Sequence, residues 1–220
     1  MPCAAMWTTA PRASRACRDD AVNHADWDRV PTLAGNHVRL EPLQMGHIDG
    51  LRGAIGDGAI CRLGYAHVPD AKGMAAYVQE ALQAQAAGKA LPFVVIDAEG
   101  QVVGSTRYYD LQPQVPRLYI GYTWYAPGAQ RTGVNTQAKL LLLRHAFERL
   151  GCISVGFHTS ILNHASRAAI ARLGATEEGV LRNHARHPDG SPRDTVAFSI
   201  IDTQWQDVKR ALQQRLDSHA

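Results

Sequence analysis

The chain has 220 residues, 45% of them hydrophobic and 20% charged, with a net charge of +3 when histidine is neutral; that suits one domain with a sizeable core and is short for two. No unbroken apolar stretch approaches the roughly 20 residues a membrane span needs, and scattered Lys and Arg residues speak against a nucleic-acid-binding surface. Cys3, Cys17, Cys61 and Cys152 lack C-x-x-C spacing and read as free thiols of a reducing cytosol, so a cytoplasmic location is expected.

Residues 1–28 carry Arg12, Arg15 and Arg18 among Ala, Ser, Thr and Pro without apolar periodicity. They read as a flexible N-terminal extension rather than a targeting peptide, because an amphipathic face is lacking. Residues 29–220 read as a single domain. Val38 and Leu40 alternate with Arg39 and Glu41 as in a half-buried strand ended by Pro42. A weak helix follows over Met45 to Ile55, diluted by Gly46, Gly50 and Gly53.

Met74, Tyr77, Val78, Ala81 and Leu82 recur at helical spacing within Lys72 to Ala87, and Gly88 supplies the stop. Leu91 to Asp97 and Gln101 to Tyr109 are strand-like and separated by Ala98-Glu99-Gly100, a hairpin signal. Leu118 to Tyr125 is a further strand, halted by Pro127-Gly128. There follow a long helix Thr136 to Leu150, a strand Ile153 to Thr159, a helix Ala165 to Leu173, strands 175–181 and 194–201, and a terminal helix from Gln204 to Leu216. This order predicts an α/β (α+β) fold with a mixed, mostly antiparallel sheet of about seven strands flanked by helices.

The segment from Ile120 to Lys139 carries the chemistry. A buried strand enters a short polar loop, Gln130-Arg131-Thr132-Gly133-Val134-Asn135, which opens into an apolar helix. The first turn of a helix presents unpaired N–H groups and a partial positive charge, so such a junction favours a phosphate. Gly133 permits close backbone approach, Arg131 adds charge, and Asn135 or Thr136 serves as helix cap or ligand contact. An ordinary capped loop has the same appearance. Neither the Walker spacing nor the dinucleotide fingerprint is present.

These residues resemble the Q/R-x-x-G-x-G/A pyrophosphate loop of the GCN5-related N-acetyltransferase (GNAT) family, with Gln130 and Gly133 in matching positions and Asn135 where Gly or Ala is usual. Asn163-His-Ala-Ser166 through Leu173-Gly174 is similar to a second run, found in the branch that includes the ribosomal-protein N-terminal acetyltransferases. The resemblance covers residues 33–203. It implies an acetyl-CoA-dependent acyltransferase with a splayed parallel strand pair, here 118–125 and 153–159. The acceptor would be a primary amine of a peptide, a protein N-terminus or a small molecule, reached by direct attack in a ternary complex. No metal, nucleic-acid or membrane partner is implied, and homodimers occur in the family.

By resemblance the cofactor contacts are Trp124 and Tyr125 at the strand end, the loop Gln130, Arg131, Thr132, Gly133, Val134, Asn135 and Thr136, and Asn163 on the pantetheine arm. Ser166 would give a proton to the leaving sulfur; a capping role for Asn163 and a passive one for Ser166 are the alternatives. Relatives in this branch often carry Glu where Tyr119 stands, and a phenol with a pKa near ~10 is a poor base. His158 on the neighbouring strand is the candidate replacement. His184 and His187 could line the acceptor mouth or bind a metal, but with no third ligand in the sequence a solvated loop is the favoured reading. If no base serves, the chain is a catalytically weak or silent CoA-binding module.

Overall fold

A computed structural model describes residues 26–56, 61 and 68–218. Almost all of the expected N-terminal extension, and most of the stretch 56–72, lie outside these residues. One eight-stranded sheet organises the rest, in the order β1-β2-β3-β4-β5-β6-β8-β7. Its strands are β1 (Leu33–Ala34), β2 (Val38–Pro42), β3 (Ala90–Asp97), β4 (Val102–Gln112), β5 (Arg117–Tyr125), β6 (Ser154–Ser160), β7 (Thr176–Arg186) and β8 (Pro192–Ile201). Every neighbouring pair is antiparallel except β5 and β6.

The helices are α1 (Ile48–Ile55), α2 (Met74–Ala86), α3 (Gly133–Glu148), α4 (His164–Arg172) and α5 (Trp205–Asp217). β3 is apolar almost without interruption because both of its faces are covered. Phe93 and Val95 join the larger core cluster with α3 and α5, while Val94 and Ile96 join a second cluster with α1 and α2. Tyr108 locks β4 to α3 by donating its buried hydroxyl to the Leu142 carbonyl at 2.6 Å. The β3–β4 turn closes as its composition predicts, with Gly100 at φ +82° and the Asp97 carboxylate accepting from the Gln101 N–H.

Three expectations need correction. The sheet has eight strands rather than about seven, because the two-residue β1, too short for any periodicity, pairs with β2. Helix α3 begins at Gly133, not Thr136, since Thr132 takes the capping position and accepts from the Val134 N–H at 3.3 Å. Strand β7 runs on to Arg186, past an irregularity between Leu181 and Ala185 where Asn183 adopts φ +49°.

Candidate functional site

The two parallel strands are paired only at Arg117↔Ser154, Leu118↔Val155 and Tyr119↔Gly156. Beyond that point β5 follows β4 to Tyr125, whereas β6 follows β8 to Ser160. The separation coincides with a bulge. Between the pairs Arg107↔Gly121 and Ser105↔Trp124, β5 holds one residue more than β4, and Tyr122 takes up the left-handed conformation at φ +51°. A bulge bends its strand, and here it leaves the β6-facing edge of β5 without a strand partner.

The gap is a cleft of about 570 Å³. Trp124 and Tyr125 line it from β5, Asn135 and Lys139 from α3, His158 from β6, and Asn163 and Ser166 from α4. Of the residues singled out in the sequence, the cleft thus brings together Trp124, Tyr125, Asn135, His158, Asn163 and Ser166. The indole N–H of Trp124 and the hydroxyl of Tyr125 are buried without a hydrogen-bond partner.

The polar loop is placed differently. Gln130 donates its side-chain amide to the Tyr125 carbonyl at 3.1 Å, pinning the loop to the strand end. Arg131 is exposed and in the left-handed region at φ +62°. Thr132 donates to the Ala129 carbonyl at 2.8 Å while capping α3. These residues and Gly133, Val134 and Thr136 border the cleft at one end without lining it. Gly133 is buried against the His37 ring, 3.2 Å from where a Cβ would stand, so its missing side chain serves packing as well as loop geometry. The Gln130 N–H is bonded to Pro127 and that of Val134 to Thr132. Helix geometry leaves the Gly133 and Asn135 amides without intrahelical acceptors.

Asn163 caps α4, accepting from the Ser166 N–H through Oδ1 at 3.0 Å, which leaves its two Nδ2 hydrogens available. His158 is half-buried in the cleft wall, 4.5 Å between ring centroids from Tyr119 and 5.4 Å from His184. Burial, followed by His184 and Arg193, lowers its pKa, so the imidazole is neutral at pH 7. Tyr119 does not line the cleft. Its ring lies over Gly156, where an added Cβ would come within 2.4 Å, and it backs His158 instead. His187 is buried with Nδ1 unpartnered, and no metal-ligating group of three or more residues occurs among the described residues.

Lys139 was not a candidate in the sequence, although a lysine inserted in the apolar run Ala138 to Leu143 was the available signal. It is buried, donates Nζ to Thr123 Oγ1 at 2.7 Å, and has its pKa lowered to about 7 by burial.

The acetyltransferase (GNAT) domain family model matches residues 37–176. The chain is 30% identical over 111 residues to YdaF of Bacillus subtilis, whose name describes a ribosomal N-acetyltransferase; the match covers half of this chain and 60% of that protein. It is 28% identical over 101 residues to YoaA of the same organism, named as an N-acetyltransferase, covering 46% and 56%. The chain therefore spans less than two thirds of these curated relatives. A GCN5-related N-acetyltransferase from Brucella melitensis superposes with a TM-score of 0.78 at 29% identity, over 86% of each chain. Mycobacterium smegmatis RimJ, solved with CoA-disulfide, shares the fold with a TM-score of 0.71 at 21% identity, over 86% of this chain and 96% of RimJ.

Proposed function

The chain belongs to the GNAT acetyltransferase domain family, and from that premise we propose that it moves an acetyl group from acetyl-CoA to a primary amine held in the same cleft. The observation that carries this reading is the divergence of β5 from β6 after Tyr119 and Gly156, beside the N-terminus of α3. The cofactor would supply an activated acetyl thioester. The cleft fits it on three grounds: a strand edge without a partner, buried and unpartnered polar atoms on Trp124 and Tyr125, and a helix N-terminus at one end.

In this reading the free amides of the first turn of α3, with Asn135, Thr136 and the charge of Arg131, hold the diphosphate. Gln130 and Thr132 shape that turn, and Val134 and Gly133 anchor it in the core. The main chain of Trp124 and Tyr125 pairs with the extended pantetheine arm, and Asn163 adds a donor through Nδ2. Ser166 holds a proton at Oγ for the departing sulfur. His158 accepts the proton of the attacking amine, a role its neutral imidazole suits at pH 7 and the phenol of Tyr119 does not.

The name of YdaF brings protein α-amines into the set of acceptors to be tried, alongside small primary amines. Release of free thiol from acetyl-CoA is the measurement, using peptides with free N-termini and small amines. No release above solvent hydrolysis with any acceptor overturns the reading. The alternative of a silent CoA-binding module rests on Tyr119, whose packed ring offers no base. It predicts CoA binding without turnover.

A further inference from the structure

The sheet has two sides with different tasks. Thr123 meets Lys139 of α3 on one side. Its neighbour Tyr122 and the cross-strand Arg107 face the other, where Arg107 meets Tyr77 of α2. The guanidinium carbon of Arg107 lies 4.0 Å from the ring centroid of Tyr122 and 5.0 Å from that of Tyr77. Tyr122 stands edge-to-face with Tyr109 at 5.4 Å. Arg193 of β8 completes the group, close enough to interact electrostatically with both tyrosines.

Among the described residues neither arginine is paired with a carboxylate. Arg107 is 3% exposed and its Nε is buried without a hydrogen-bond partner. Arg193 is half-buried in the cleft wall, and its Nε is likewise unpartnered. No ion pair involves either among the described residues. The described cleft wall contains Lys139, His158, His184 and Arg193 but no Asp or Glu. Contact with aromatic faces offsets part of the desolvation of a guanidinium, but a carboxylate satisfies its planar fork far better.

We propose that the acceptor amine carries a carboxylate, which docks on Arg193 in the cleft, with Arg107 behind Tyr122 holding that ring in place and adding positive potential. The diphosphate of the cofactor is not the anion in question, because the α3 N-terminus proposed to hold it lies on the opposite side of the sheet from Arg107. This inference rests on the acetyl-transfer reading for the identity of the docked molecule as an acceptor, while the subsite itself is defined by the two arginines. A free amino-acid-like compound and an acidic residue near a peptide N-terminus present the same group.

The test is calorimetric binding to protein saturated with CoA, using two matched pairs of probes: alanine against alaninamide, and peptides starting Ala-Asp against Ala-Asn. The expected result is about tenfold or tighter binding of the carboxylate member in at least one pair; the pair that discriminates identifies the source. Arg193→Gln is expected to erase the difference while the Kd for CoA stays within about twofold, which also establishes that the variant is folded. Equal affinity within both pairs, or discrimination that survives in Arg193→Gln, overturns the proposal. Tight carboxylate binding without thiol release from acetyl-CoA would instead refute acetyl transfer and leave the anion subsite standing.

Discussion

The Nζ of Lys139 sits 2.7 Å from Thr123 Oγ1, which in turn lies 2.7 Å from Thr106 Oγ1, so a buried amine is held by one neutral hydroxyl that a second one backs. With no carboxylate paired to it among the described residues, burial lowers its pKa from 10.5 to about 7. Between these values the unfolded chain binds more protons than the folded one, and stability rises with pH; below about 7 the full cost of the buried charge is present. Lys139→Met is therefore expected to stabilise the protein at pH 6, on the order of 1–3 kcal/mol, and progressively less toward pH 10. Urea unfolding at the two pH values measures this. An identical difference at both would show that folding does not shift the pKa of this amine and would contradict the burial described.

His145 gives the same dependence on acid in a lower pH window. Burial lowers its pKa from 6.5 to about 4, and its ring stacks on Tyr108 with a centroid separation of 6.0 Å. As pH falls through 6.5 the unfolded chain takes up the proton first, so stability is lost progressively down to about pH 4. In His145→Gln the slope of unfolding free energy against pH is expected to be shallower across that window. A slope equal to that of the wild type would contradict the assignment.

Two glycines support the cleft. In Gly156→Ala the new methyl would come within 2.4 Å of the Tyr119 ring, which must shift and carry His158 with it. A loss of about 1–3 kcal/mol is expected, with reduced turnover. Gly104→Ala would place its methyl 2.2 Å from the main-chain oxygen of Trp124, which cannot swing aside, so the loss is larger. Chemical denaturation measures both, and wild-type stability in Gly104→Ala would contradict the packing described.

The roles proposed for the cleft side chains separate kinetically. His158→Ala is expected to lower kcat by about 100-fold or more with little change in the KM for acetyl-CoA. The acid limb of the wild-type profile should fall below pH 6.5, and disappear in the variant, because burial depresses the imidazole pKa from that value. Asn163→Ala loses the α4 cap, costing about 1 kcal/mol, and should raise the KM for acetyl-CoA. A His158→Ala enzyme with unaltered kcat would point to a different base.

The order of strands and helices was legible because local signals agree with the fold: apolar runs in β3 and β5, helical spacing in α2, and glycines after α2 and α4. The strand–loop–helix junction at Ile120 to Lys139 was legible for the same reason, and so was the pairing of Asn163 with Ser166. What escaped depends on contacts distant in sequence. The bulge at Tyr122 exists only against β4, Gly133 packs on His37 from nearly a hundred residues away, and the unpaired states of Arg107 and Arg193 appear only once four strands converge. Lys139 was half visible, as a charge in an apolar helix whose neighbour on β5 could not be foreseen. The cap of α3 was misjudged because Thr132, Asn135 and Thr136 all suit that position.

The central claim is that CoA lies between the diverging strands with its diphosphate at the start of α3. Amide hydrogen exchange with and without CoA tests it most directly. Protection is predicted at residues 122–125 on β5 and 133–136 on α3, with β1 and β2 unchanged. CoA binding that leaves both segments as exposed to exchange as in the free protein would contradict the account.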